Sequence, residues 1–394
     1  MTFKKTKSIE KYAALTAATL LLSVNFWAWS LVSPLATQYA KEFSLSPFML
    51  SVLVAMPVMV GSLGRIPLGL LADRYGGRKI FGAVCMLAAL AVLSLSLASG
   101  ENQLFLAAVA LGIAGASFAA GVPFVNAWFP KKERGLALGI YALGNAGTAV
   151  SGLLTPRAAM LLGRTHFFWL LAVLVLAAGV AMWLFGRESA AWRPAKGSGW
   201  RRLQRALAWN LTWRLSLLYA VTFGAFVALG LYLPVLLNQS YGLDPADAAR
   251  RAAGFVLLAT LVRPAGGWLS DRLSGLVVIR AAFLALGILA ALAALKPGLA
   301  PVGTIAYLGM AVVLGIGNGA IFAVIGHRCD TKIVGTVTGV VGAAGGLGGY
   351  FPPLIMGLSF QVFHAYTPAL LLLAAVSFVV VASLHRLFGY GKKY

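Results

Sequence analysis

Carboxylates are scarce in this chain: ten Asp and Glu stand against 32 Lys and Arg over 394 residues, a formal net charge of +22. Charge of either sign is rare, at 11% of residues, whereas 60% are hydrophobic and the mean hydropathy is +0.87. That balance excludes a soluble globular domain and leaves an integral membrane protein. Two cysteines, Cys85 and Cys329, are too few for a disulfide framework, and neither sits in a CxxC or Cys/His spacing that would hold a metal. The four histidines, His166, His327, His364 and His385, fall at segment ends or in loops. With no nucleophile, acid/base pair or metal cluster inside the apolar runs, the sequence argues against an enzyme, and no cofactor or catalytic residue is expected.

Long apolar runs are what the chain has instead. Runs of about 20 residues, long enough to cross a ~30 Å hydrocarbon core as helices, occur twelve times. They lie at 13–35, 47–72, 79–98, 103–125, 135–162, 165–186, 214–238, 248–271, 276–296, 300–325, 333–357 and 366–387. The first follows Lys4, Lys5, Lys7 and Lys11, but it is too long for a signal peptide and has no small-residue cleavage site, so it is read as a retained helix. On this topology 24 Lys and Arg share the side of the N-terminus and six share the opposite side. The positive-inside rule then places both termini in the cytoplasm of a multi-pass cytoplasmic-membrane protein. The basicity is topological, and no nucleic-acid partner is expected.

The longest polar interruption, "GRESAAWRPAKGSGWRRLQR" at 186 to 205, falls mid-chain. It divides the protein into an N-terminal six-helix bundle (1–186), a cytoplasmic linker with a short interfacial helix (187–213) and a C-terminal six-helix bundle (214–394). The bundles are related. A shift of 198 residues places Arg65 on Arg263, Gly69 on Gly267, Asp73 on Asp271 and Arg74 on Arg272. "LGIAGASFA" (111–119) echoes "LGIGNGAIFA" (314–323), and "GIYALGNAG" (139–147) echoes "GVVGAAGGLGG" (339–349). Duplication with a site between the repeats is the architecture of secondary transporters, and channels or receptors predict none of it.

"GLLADRYGGRK" and its degraded copy "GGWLSDRLSG" suit tight turns at the membrane edge. Gly69, Asp73, Arg74, Gly77 and Arg78, with Asp271 and Arg272, are the candidate gating motif, in which an acid can pair with arginine or face a helix N-terminus. This pattern looks like the loop motif of the major facilitator superfamily.

Arg65 lies eight residues before Asp73, hence about 12 Å inside the membrane boundary, and Arg263 bears the same relation to Asp271. A cation at mid-membrane costs roughly 2.5–3.5 kcal/mol, so such residues usually face a cavity and serve a function. All ten carboxylates fall in tails, loops or helix edges, which leaves no buried partner. The missing counter-charge must come from a small anion, and two planar guanidinium forks match nitrate, nitrite, formate or phosphate. Among aromatic residues, Phe26, Phe118, Tyr219 and Phe223 fall in spans that should line a cavity, with Tyr219 and Phe223 on one helix face. "GNAG" at 144–147 and "GGLGG" at 345–349 permit close helix contact, or expose backbone amides to an ion. Pro156, Pro352 and Pro353 are expected to kink or break the helices that follow these strings.

The arginine pair with "GLALGIYALGNAGTAVSGLLTP" and "GVVGAAGGLGGYFPPLIMG" resembles, over essentially the whole chain, the nitrate/nitrite porters of the major facilitator superfamily. The resemblance implies an all-α fold of twelve transmembrane helices in two pseudo-symmetric bundles, and a monomer carrying nitrate and nitrite through the lipid bilayer by alternating access. It implies that Arg65 and Arg263 bind the anion, that Phe26, Phe118 and Phe223 stack on it, and that Tyr219 and Asn145 contact it. Gly144, Gly147, Gly345, Gly346 and Gly348 fall on the glycine signature. "IYALGN" departs from relatives that carry Asn or more glycine before the GN pair. Two mutually repelling cations resist closure until an anion binds, which favours nitrate/nitrite exchange, whereas the "NFWAW" opening resembles the proton-linked subtype. A carrier of another small anion such as formate is the alternative.

Overall fold

The computed structural model describes residues 2–388. Its described residues are helical, without strands. Among the described residues, eleven helices are long and apolar enough to cross a membrane: Ile9–Leu35, Val52–Tyr75, Gly77–Ser96, Glu101–Trp128, Lys131–Leu162, Arg164–Phe185, Asn210–Tyr241, Asp247–Arg272, Gly275–Ala294, Leu299–Arg328 and Thr367–Leu384. The shorter apolar helix Val334–Gly348 precedes the last of these and makes a twelfth segment, the eleventh in chain order. Each of the twelve expected spans has a counterpart within a few residues at each end, except the eleventh, which is shorter. Lys392 and Lys393, counted on the basic side, lie outside the described residues.

Local chemistry sets the segment ends. Ser46 caps the second segment by accepting from Met49 N at 3.2 Å, with Pro47 at the first helical position. Gly76, at φ 92°, turns the chain into the third segment. The sixth segment leaves Trp169, Leu170, Val173 and Trp183 exposed, an apolar surface suited to lipid.

Four segments depart from a plain helix, and the departures correct two expectations. The eleventh does not run through 333–357: it ends at Gly348, and a separate helix starts at Phe351 with Pro352 in its first turn. In the fifth, the helix Ala146–Leu162 runs unbroken past Pro156, and the irregular stretch is the 3-10 turn Ala142–Asn145 just before it. The fourth breaks at Ser117, between Glu101–Ala116 and Phe118–Trp128. The eighth breaks at Val262, so that Arg263 opens the helix Arg263–Arg272 with Pro264 behind it. Proline offers no N–H and its ring crowds the carbonyl four residues earlier, so the ladder stops there.

The two halves meet along two crossings related by the repeat. A Cβ on Gly69 would collide with the Gly335 carbonyl, and one on Gly339 with the Arg65 carbonyl, so the second segment lies backbone-to-backbone against the eleventh. Likewise Gly267 abuts the Gly135 carbonyl and Gly139 the Arg263 carbonyl, joining the eighth segment to the fifth. Both crossings run from the arginines toward the end of the molecule that carries the inter-half linker, here termed the linker face. The linker contains the amphipathic helix Gly199–Ala208, whose Arg202 is buried and donates to Leu70 O at 3.0 Å and Ala195 O at 3.2 Å. Trp200, Arg201 and Arg205 point outward.

Candidate substrate site

The second and eighth segments bring Arg65 and Arg263 to the interface between the halves, where they are 2% and 1% exposed. Arg65 Nη1 donates to Gly342 O at 2.7 Å and Nε to Gly115 O at 3.4 Å. Gly342 permits this approach: a Cβ there would stand 3.0 Å from Arg65 Cδ. Arg263 is held differently, because its Nε and Nη2 are buried without any hydrogen-bond partner. No ion pair among the described residues includes either arginine. A buried, unneutralised guanidinium with two free donors is costly unless an anion is its partner.

Aromatic rings supply most of the surroundings. Phe223 lies 6.0 Å from the guanidinium carbon of both arginines, Phe118 5.8 Å from that of Arg65, and Phe226 5.1 Å from that of Arg263. Tyr219 stacks on Phe223 with centroids 5.1 Å apart. Phe322 joins the halves by meeting Phe118 and Tyr219 edge-on, each at 4.9 Å. Tyr141 completes the wall, 5.4 Å from Phe118, with its hydroxyl donating to Phe118 O at 3.2 Å. Phe322 occupies the place in "GNGAIFA" that Phe118 occupies in "AGASFA", so the repeat carried a signal for it. Nothing in the sequence singled out Tyr141 or Phe226.

The structure does not bring every candidate into this cluster. Phe26 is buried against Trp29, with centroids 5.0 Å apart, and its described ring partner is that indole and not a guanidinium. Asn145 is buried, but its Nδ2 donates to Ala142 O at 2.7 Å, closing its own 3-10 turn. The glycines serve contact. Gly144 and Gly147 meet Leu22 and Ser23 of the first segment, Gly345 makes room for the Tyr219 ring, and Gly346 and Gly348 meet Ser62 and Ala220. Where the backbone does reach a guanidinium, at Gly115 and Gly342, it offers a carbonyl acceptor to arginine and not an amide to an anion. One polar residue escaped the sequence reading: Asn318, in the tenth segment one turn before Phe322, is 2% exposed with both amide atoms unpartnered.

The gating motif lies nearer the linker face. Asp73 accepts from Gly335 N and Thr336 N, each at 2.8 Å, and from Thr336 Oγ1 at 2.6 Å. Asp271 accepts from Gly135 N at 2.9 Å, Leu136 N at 2.7 Å and His327 Nε2 at 2.7 Å. Each carboxylate thereby caps the first turn of a helix in the opposite half, where free N–H groups and the helix dipole favour an anion. Gly77 sits against Phe124, and Arg78 binds the linker: its backbone N–H reaches Glu188 Oε1 and its Nη1 reaches Gly186 O, both at 2.8 Å. Burial holds the Glu188 carboxyl above the ordinary glutamate range, partly offset by that Arg78 hydrogen bond. Arg74 and Arg272 lie over Tyr75 and Trp268, at 5.3 and 4.4 Å.

Comparison with known proteins identifies the family. A family model described as Major Facilitator Superfamily matches residues 18–353. The "Probable nitrate/nitrite transporter NarK2" of Mycobacterium tuberculosis is 42% identical over 371 residues, covering 93% of this chain and 94% of the relative. The "Nitrite extrusion protein" of Bacillus subtilis is 36% identical over 374 residues, covering 94% of each. Among solved structures, the human organic anion transporter MFSD10 superposes with a TM-score of 0.75 at 15% identity, covering 95% of this chain and 99% of that one, a likeness of fold.

Proposed function

The chain belongs to the Major Facilitator Superfamily, and on that premise we propose that it carries nitrate and nitrite across the cytoplasmic membrane by alternating access. The observation that carries this reading is the pair of buried guanidiniums around one phenylalanine ring, with two Arg263 donors unpartnered and no carboxylate to neutralise either charge. A planar oxyanion fits donors arranged in forks and flanked by flat rings. The names of its relatives in Mycobacterium tuberculosis and Bacillus subtilis point the same way. In this account Arg65 and Arg263 bind the ion, Phe118, Tyr219 and Phe223 shape the slot, and Phe26, Asn145 and the glycine strings support the helices around it.

The linker face is the cytoplasmic one, since it bears the Lys- and Arg-rich segments, and both termini lie there. The carrier works as a monomer of two units, 1–186 and 214–394, joined by 187–213. Asp73 and Asp271 latch the halves at the cytoplasmic side. Bound anion offsets the repulsion between the arginines, so closure follows loading, and nitrate/nitrite exchange is the expected mode. Labelled nitrate entering proteoliposomes preloaded with nitrite, nitrate, formate, phosphate or no anion tests this directly. Exchange predicts entry only against nitrite or nitrate; full-rate entry into anion-free vesicles contradicts it, and equal entry against formate makes the site a general small-oxyanion site.

A further inference from the structure

The latch between the fifth and eighth segments contains an imidazole that its twin lacks. Asp271 accepts from two amides of the first half, Gly135 and Leu136, and from His327 of its own half. At the twin latch the third donor to Asp73 is the Thr336 hydroxyl, which stays uncharged at any physiological pH. The His327 side chain is 23% exposed and that of Asp271 6%, so water at the linker face reaches the imidazole while the carboxylate stays covered.

The charges facing this imidazole differ between the halves. From the first half it meets Arg134, whose Nη1 donates to Gly326 O one residue away at 2.9 Å, and the N-terminus of the helix Arg134–Tyr141. The turn before that helix adds Lys131, Lys132 and Glu133, the last paired with Lys11 at 2.6 Å. From its own half come Asp271, Arg272 lying over Trp268, Arg328, and the following Asp330 and Lys332. The first-half set is therefore positive, and it approaches the second half only while the linker face is closed. With a neutral imidazole, Asp271 presents a net negative charge to that set. An imidazolium cancels that charge and places a cation beside Arg134.

We propose that His327 and Asp271 form a proton-binding site within the linker-face latch, and that a proton from the cytosol releases this latch and favours the cytosol-open carrier. The proton goes to Nδ1, because Nε2 faces the carboxylate. By linkage the open state binds this proton more tightly than the closed one, so acid shifts the population toward opening. The proposal rests on the alternating-access reading and on the cytoplasmic assignment of the linker face.

The test places spin labels at Tyr75 and Leu273, exposed at the linker-face ends of the second and eighth segments. Distance distributions are recorded on substrate-free protein in lipid nanodiscs between pH 8 and pH 5.5. The wild type is expected to show a long-distance population that grows about tenfold toward acid, equivalent to about 1.4 kcal/mol of relative stability. His327→Gln, with His327→Asn as a second uncharged donor, stays near the wild-type alkaline distribution at every pH, and Asp271→Asn shows the open population at every pH. A wild type that ignores pH, or a His327→Gln carrier that keeps the full response, overturns the proposal. Nitrate binding by the same samples separates the two readings: a protein that binds no nitrate yet opens with acid counts against the carrier function and leaves the latch standing.

Discussion

Arg65 and Arg263 occupy equivalent places in the two repeats, yet the fold finishes only one of them. Arg65 sits inside an unbroken helix, Pro47–Tyr75, with its fork turned onto the Gly115 and Gly342 carbonyls. Arg263 opens a helix after a break, with two donors unsatisfied. The position of one proline separates them: it follows Arg65 by two residues and Arg263 by one. Duplication thus supplied two cations, and divergence made one a fixture of the inter-half contact and left the other dependent on what enters the site. In this account Arg263 is the larger contributor to anion affinity and Arg65 couples the site to the eleventh segment.

The sharpest way to break that asymmetry is substitution at the two arginines. Arg263→Lys keeps the charge and loses the fork, and nitrate counterflow is expected to fall roughly 100-fold, in line with the about 1.5–3 kcal/mol of hydrogen bonding to a charged group that is lost. Arg65→Lys is expected to cost about tenfold, because a lysine still reaches one carbonyl. Equal losses at both positions would erase the distinction. Phe223→Leu removes the ring shared by both guanidiniums and should raise the KM for nitrate about tenfold, from cation–π contributions of about 0.5–2 kcal/mol, whereas Phe226→Leu, over Arg263 alone, should do less.

Smaller effects probe the Arg65 side. Gly342→Ala should displace the Arg65 side chain by a few tenths of an ångström and slow exchange about threefold, as a lost fraction of a hydrogen bond worth about 1 kcal/mol. The matching position of the fifth segment already carries Ala142, which marks the crowding as particular to Arg65. Thr336→Val deletes one donor to Asp73 while two amides remain, so the latch should weaken by about 1 kcal/mol, seen as a several-fold larger open population in the spin-label distances.

Much of the molecule was legible beforehand because membranes enforce simple rules. Twelve spans follow from hydropathy, and two arginines without a mid-span carboxylate follow from placing all ten acids in tails, loops or helix edges, although Asp73 at its helix edge is itself buried. What escaped depends on contacts that composition does not encode. The Asn145 amide bonds Ala142, because a 3-10 turn brings that carbonyl within reach. Pro156 looked like the kink and is accommodated within a helix. The partners of Asp73 and Asp271 were hidden because they are backbone amides at the starts of helices in the opposite half, and only the fold brings them there. Phe322 alone was recoverable, from its alignment with Phe118 in the repeat.

The central claim is that the anion completes the coordination of Arg263. Nitrate titration of the purified carrier by calorimetry, wild type beside Arg263→Lys, tests it most directly, with both proteins first shown to be folded and monodisperse. The account predicts one saturable nitrate per chain in the wild type and no measurable heat in the variant. Nitrate bound by Arg263→Lys with wild-type affinity would contradict it.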